Sequence, residues 1–72
     1  MKHKYKVIID GDVEYTDDYK EAVESVAWHI FHAREYNTDH NVVGEVIYCA
    51  TGEVMHREEY RADRLSNIFG VH

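Results

Sequence analysis

The clearest candidates for chemistry are histidines and a carboxylate near the middle of the chain. His29 and His32 are three residues apart, and Glu35 follows one turn later. Two imidazoles and a carboxylate can hold zinc when all three face one side. At about 100° per helical residue, His29 borders the core side and Glu35 points about 120° away from it. We therefore expect surface histidines and no metal site.

A second set of acidic and hydroxyl side chains has the spacing of calcium-loop ligands. These residues are Asp10, Asp12, Glu14, Thr16, Asp18 and Glu21. A calcium loop needs glycine at its sixth position for a sharp turn, and this chain has Tyr15 there. The spacing therefore does not predict a calcium site.

Nucleophilic catalysis needs a serine or cysteine beside a histidine and a group that orients it. Ser25 falls in a predicted helix, Cys49 in a predicted strand and Ser66 in the tail. The chain has no glycine-rich phosphate loop. We expect no enzyme and no cofactor.

Size and composition narrow the class of protein. A chain of 72 residues predicts one domain, 1–72, that buries only about 60% of its unfolded surface. The net charge of −6 argues against direct nucleic-acid binding, which uses lysine and arginine. No apolar run is long enough to span a membrane, and Asp10 interrupts the N-terminal apolar run too early for a signal peptide. A lone Cys49 fits the reducing cytoplasm.

The N-terminal residues predict a β-hairpin. His3 to Ile9 alternates apolar and polar residues, Asp10-Gly11 is a turn signal, and Asp12 to Tyr15 follows. A two-residue loop would place Asp12 on the apolar face. A register with a G1 bulge pairs Val7 with Val13 and Tyr5 with Tyr15, so we expect that register.

The central stretch predicts one amphipathic helix. Thr16 is the expected N-cap, and the helix runs to about Tyr36, with Asn37 as a left-handed C-terminal residue. The predicted core stripe is Tyr19, Ala22, Val23, Val26, Ala27, Ile30 and Ala33.

A second hairpin follows, with strands Val42–Ala50 and Glu53–Tyr60. A register that opposes Glu45 to Arg57 and Tyr48 to Val54 avoids a pair of like charges. It predicts an inner face of Val42, Val46, Tyr48, Val54 and Tyr60, and an outer apolar patch of Ile47, Cys49 and Met55. Ala62 to Phe69 is expected to form a short helix.

The two hairpins share a sequence pattern. Residues 10–20 align with residues 51–61 at three identical positions, and four more keep their charge type. This predicts either a duplicated ββα unit or chance convergence on one turn chemistry, and the sequence favours neither.

Trp28 marks the candidate partner-binding surface, because it projects about 180° from the core stripe. Tryptophan is enriched among the residues that dominate interface energies. The residues expected to accompany it are Phe31, His32, Glu35, Glu24 and Glu21. The alternatives are that the tail helix or the 38–41 loop covers Trp28, or that it is simply exposed.

A stretch of acidic side chains precedes this helix. The expected acidic surface comprises Asp10, Asp12, Glu14, Asp17 and Asp18. It either keeps the protein soluble or attracts a basic partner, such as a nucleic-acid-binding protein. Six histidines would offset most of the net charge near pH 6.

These patterns predict an α+β domain with an antiparallel sheet of about four strands in ββαββ order. One long helix packs on the sheet, and a short C-terminal helix follows. The size, acidity and element order resemble small phage-encoded host inhibitors, including anti-CRISPR proteins. The resemblance implies a stoichiometric binder that blocks a host complex. The alternatives are a homodimeric module or a domain that responds to metal or pH through its histidines.

Overall fold

A computed structural model of the protein describes residues 3–62, which form four antiparallel strands and one helix. The strands are β1 (Tyr5–Ile9), β2 (Asp12–Thr16), β3 (Val42–Tyr48) and β4 (Glu53–Tyr60). The helix α1 spans Tyr19–Glu35. The sheet order is β2-β1-β3-β4. The predicted α+β class and ββαββ order are confirmed. Apart from Ala62, the predicted C-terminal helix lies outside the described residues.

The core lies between α1 and one face of the sheet. Alternate strand residues point to opposite faces, and those on the inner face meet every third or fourth residue of the helix. The buried members are Val7, Ile9, Ala22, Val26, Ile30, Ala33, Val42, Val46 and Tyr60. The predicted helix stripe is confirmed at its centre. The prediction is wrong at the margins of the stripe, because Ala27 and Tyr19 are exposed.

The first hairpin has the register of a two-residue loop, so the predicted G1-bulge register is wrong. Val7 pairs with Glu14, and Ile9 pairs with Asp12. Asp10 and Gly11 have φ angles of 52° and 92°, and two positive φ angles are the signature of a two-residue type I′ turn. This turn matches the strand twist and determines the register. Val13 and Tyr15 therefore lie on the outer face, 48% and 54% exposed.

The second hairpin is partly as predicted. Glu45 opposes Arg57, and their side chains form an ion pair with Nε and Oε2 3.3 Å apart. A bulge between Val46 and Ile47 then shifts the register, so that Val54 opposes Ile47 and not Tyr48. Val54 consequently lies on the outer face and is 49% exposed. β3 ends at Tyr48, which places Cys49 in the turn and not in a strand.

The helix ends are defined by side chains and backbone geometry. The N-cap is Asp18 and not Thr16: its carboxylate accepts the N–H groups of Lys20 and Glu21 at 3.0 and 3.3 Å. Thr16 ends β2 instead. At the other end Asn37 has φ 53°, as predicted. The N–H of Thr38 donates to Ala33 O in the pattern of a Schellman motif.

The two segments of the suspected repeat adopt different structures. Tyr19 of the first segment begins α1, whereas the aligned Tyr60 ends β4. The turns also differ, since β1 and β2 are joined by two residues and β3 and β4 by four. The helix that a second ββα unit would need falls outside the described residues.

Candidate interaction surface

The outer side of α1 carries four aromatic or imidazole rings, which we call the aromatic face: Trp28, Phe31, His32 and Tyr36. Trp28 is 58% exposed, Phe31 51% and Tyr36 74%. The four residues lie at positions i, i+3, i+4 and i+8, so they fall on adjacent turns of one side of the helix. The loop 38–41 leaves Trp28 exposed, which removes one of the alternatives raised by the sequence.

The rings of the aromatic face hold one another in place. The Trp28 and His32 ring centroids are 4.1 Å apart, with an edge-to-face angle of 72°. The Phe31 ring lies 6.3 Å from Trp28 and 6.0 Å from His32, and Tyr36 lies 5.5 Å from His32. Such pairs stabilise each other by about 0.5–1.5 kcal/mol. The four rings therefore form one continuous surface on the helix.

A cleft lies beside the aromatic face, between β2 and the C-terminal half of α1. We call it the acid–histidine cleft, and its volume is about 290 Å³. Its floor is apolar, formed by Val7, Ile9, Ala33 and Val42. Its walls carry polar and aromatic groups, namely Asp10, Asp12, Glu14, His29, His32, Tyr36, Thr38 and His40.

The register of the first hairpin creates this cleft, because it turns the acidic side chains of β2 toward the helix. Asp12 and Glu14 pair with Ile9 and Val7, so their side chains project from the helix-bearing face of the sheet. None of the β2 side chains is buried, so the carboxylates keep contact with water while they border the apolar floor. At the rim, His40 Nε2 lies 3.4 Å from Asp10 Oδ2.

His32 belongs to both the aromatic face and the acid–histidine cleft, because its ring contacts Trp28 and also lines the cleft. Its Nε2 atom is buried and has no hydrogen-bond partner within the described residues. A buried polar atom without a partner costs stability. The neighbouring His29 differs, because its Nδ1 lies 2.8 Å from the Ser25 carbonyl oxygen.

The predicted acidic surface divides into two groups. Asp10, Asp12 and Glu14 line the cleft. The other two carboxylates have structural contacts: Asp17 accepts the Lys4 N–H at 2.9 Å, and Asp18 caps α1. The surface is therefore smaller than the sequence suggests, but the three remaining carboxylates line one cleft.

The glutamates predicted around Trp28 are all exposed on α1. Glu24 and Glu35 flank the aromatic face, whereas Glu21 is engaged by Thr16, whose hydroxyl donates to Glu21 Oε1 at 2.7 Å. Sequence reasoning missed Tyr36 and His40. Tyr36 was detectable, since it lies two helical turns after Trp28, but His40 needed the path of the loop.

The histidines and carboxylates do not converge on a metal. Among residues 3–62, no three His, Cys, Asp or Glu side chains are arranged to hold a metal ion. The calcium-type ligand spacing is spread over a turn, a strand and a helix. In the same part of the chain, no helix is long and apolar enough to cross a membrane.

No protein-family model matches the chain, and no curated protein and no solved structure is significantly similar to it.

Proposed function

We propose that the protein is a non-catalytic protein-binding module, a stoichiometric inhibitor or adaptor of the phage type that acts in the cytoplasm. Its target in this proposal is a basic host complex, such as a nucleic-acid-binding one. The aromatic face is the binding surface, and the acid–histidine cleft beside it receives basic side chains of the partner. The observation that carries the proposal is the exposure of Trp28 in a cluster of packed rings.

Large apolar groups that stay in water cost free energy. Fully burying one such side chain is worth roughly 1.5–3 kcal/mol, and Trp28 and Phe31 are each more than half exposed. Tryptophan and tyrosine anchors dominate many interfaces. Rings already ordered on a helix lose little entropy on binding. A partner that covers this face therefore gains affinity from few residues.

The negative charge of the protein supports the proposal that its partner is basic. The chain carries a net charge of −6, and three carboxylates border the cleft next to His32. A lysine or arginine side chain can lay its aliphatic stem on the apolar floor and its charged end among the carboxylates. The same arrangement disfavours nucleic acid as a direct ligand.

The decisive experiment is affinity capture from a host lysate, followed by purification of the captured partner. Trp28→Ala should abolish capture and leave the circular dichroism spectrum unchanged, because Trp28 is outside the core. Met55→Ala is the matched control, since Met55 is 44% exposed on β4. It should capture the partner normally and in a 1:1 complex. Full capture by Trp28→Ala would contradict the assignment of this face.

A homodimeric module is the second candidate, and the outer face of the sheet favours it. Val13, Tyr15 and Val54 are each about half exposed there. Exposed apolar side chains on one sheet face can mark an interface. Light scattering over a range of concentrations separates the candidates, because a strict monomer excludes the dimer. The third alternative, a metal-responsive domain, has no set of metal ligands within residues 3–62.

A further inference from the structure

The outer face of the sheet carries a second cavity, remote from the aromatic face. Its volume is about 510 Å³, and it lies between the N-terminal segment, the centre of the sheet and the β3–β4 turn. It is lined by His3, Lys4, Lys6, Tyr15, Ile47, Tyr48, Cys49, Ala50 and Gly52. Cavities of this size that combine apolar walls with a few polar groups are typical of small-molecule sites.

Lys6 is one of the residues that line this cavity. It pairs with Tyr15 on β2 and with Ile47 on β3, so an ammonium group is flanked by an aromatic and an aliphatic side chain. Lys6 is half-buried. The His3 ring extends the aromatic wall, since it stacks on Tyr15 at 5.8 Å.

The cavity walls are tied together by backbone hydrogen bonds. The Cys49 N–H donates to Lys4 O at 2.8 Å, which joins the β3–β4 turn to the N-terminal segment. The Lys4 N–H donates to the Asp17 carboxylate. Lys4 and Lys6 form no ion pair within residues 3–62. Two ammonium groups therefore face an ordered cavity in a protein of net charge −6.

We propose that this cavity binds a small amphipathic anion, a phosphate monoester or carboxylate carried on an aromatic body. The anion contacts the ammonium groups of Lys6 and Lys4. The aromatic body lies against Tyr15 and Ile47. The site is independent of the aromatic face, so it goes beyond protein binding and adds a small-molecule ligand.

Cys49 supplies the readout, because it is the only thiol of the chain and it lines the cavity. The full chain is alkylated with iodoacetamide, a neutral reagent, with and without phenyl phosphate. Phenyl phosphate should slow alkylation in a saturable manner. Benzyl alcohol carries only the aromatic body and inorganic phosphate carries only the anion, so each should protect Cys49 much less. Absence of protection by phenyl phosphate, or equal protection by either half, would overturn the proposal.

Lysine variants test the anion contact. Lys6→Gln should raise the apparent dissociation constant of phenyl phosphate about tenfold, since a charged hydrogen bond is lost. Lys20→Gln is the matched control, because Lys20 is an exposed lysine on α1 away from the cavity. Lys4→Gln, at an exposed position, provides a second variant if Lys6→Gln does not fold. Equal weakening by Lys20→Gln would overturn the proposal.

Discussion

His32 combines a structural cost with a position in the centre of the aromatic face. Its ring packs against Trp28 and Tyr36, yet its Nε2 atom is buried without a hydrogen-bond partner among residues 3–62. An unpaired buried nitrogen lowers the stability of the fold.

We expect His32→Phe to raise the free energy of unfolding by about 1 kcal/mol, because it removes the unpaired nitrogen and retains the ring packing. Urea denaturation measures the change. His29→Phe is the control: its Nδ1 already contacts the Ser25 carbonyl, so no gain is expected. Under the proposed function, His32→Phe also weakens partner binding. A loss of stability in His32→Phe would show that the imidazole is well satisfied in the fold.

Gly44 determines how closely α1 can approach the sheet. It is buried in β3 opposite Ile9, and a Cβ atom added there would lie 2.8 Å from Val26 Cγ1. That separation is below van der Waals contact, so the helix or the strand would have to move. The close packing of α1 on the sheet, and not a turn, therefore requires glycine at this position.

Gly44→Ala should lower the free energy of unfolding by about 1–3 kcal/mol, the usual cost of overpacking a core. Val26→Ala removes the side chain that clashes, so Gly44→Ala should cost less in that background, by about 0.5 kcal/mol or more. Thermal or urea unfolding of the four proteins completes the double-mutant cycle. Strict additivity would indicate that the clash is relieved elsewhere.

The sequence predicted the strands and the helix because their hydrophobic periods are clear. The period of 3.6 in α1 and the alternation in β1 and β3 identify which residues are buried. The first register was not predictable from side-chain pairs, since pairing favoured Val7 with Val13. The type I′ turn at Asp10-Gly11 decided the register, and β2 tolerates carboxylates on its inner face because none of its side chains is buried.

The candidate site was predictable in the same partial way. The exposure of Trp28 follows from the helical wheel, which needs no tertiary information. The cleft does not follow from the helical wheel. It depends on which face of β2 points toward the helix and on the loop that brings His40 to Asp10. The second cavity also required the sheet order, which places Lys6 between Tyr15 and Ile47.

At the scale of the whole molecule, the two proposed sites have opposite charge and lie on opposite faces of the sheet. Carboxylates line the cleft on the helix-bearing face, and lysines line the cavity on the outer face. Because acidic residues are in excess, the carboxylates of the cleft should dominate the long-range attraction of a basic partner. Binding at the aromatic face should therefore depend on the ionic conditions.

Partner affinity should fall as salt rises, because the Debye length shortens from about 10 Å at 0.1 M to about 3 Å at 1 M. Glu14→Gln removes one cleft carboxylate and should reduce the salt dependence, whereas Glu53→Gln, an exposed carboxylate on β4, should not. Isothermal titration calorimetry with the purified partner measures the salt dependence of the native protein and of both variants. Affinity that is unchanged by salt and by Glu14→Gln would leave the aromatic rings as the sole determinant and remove the cleft from the interface.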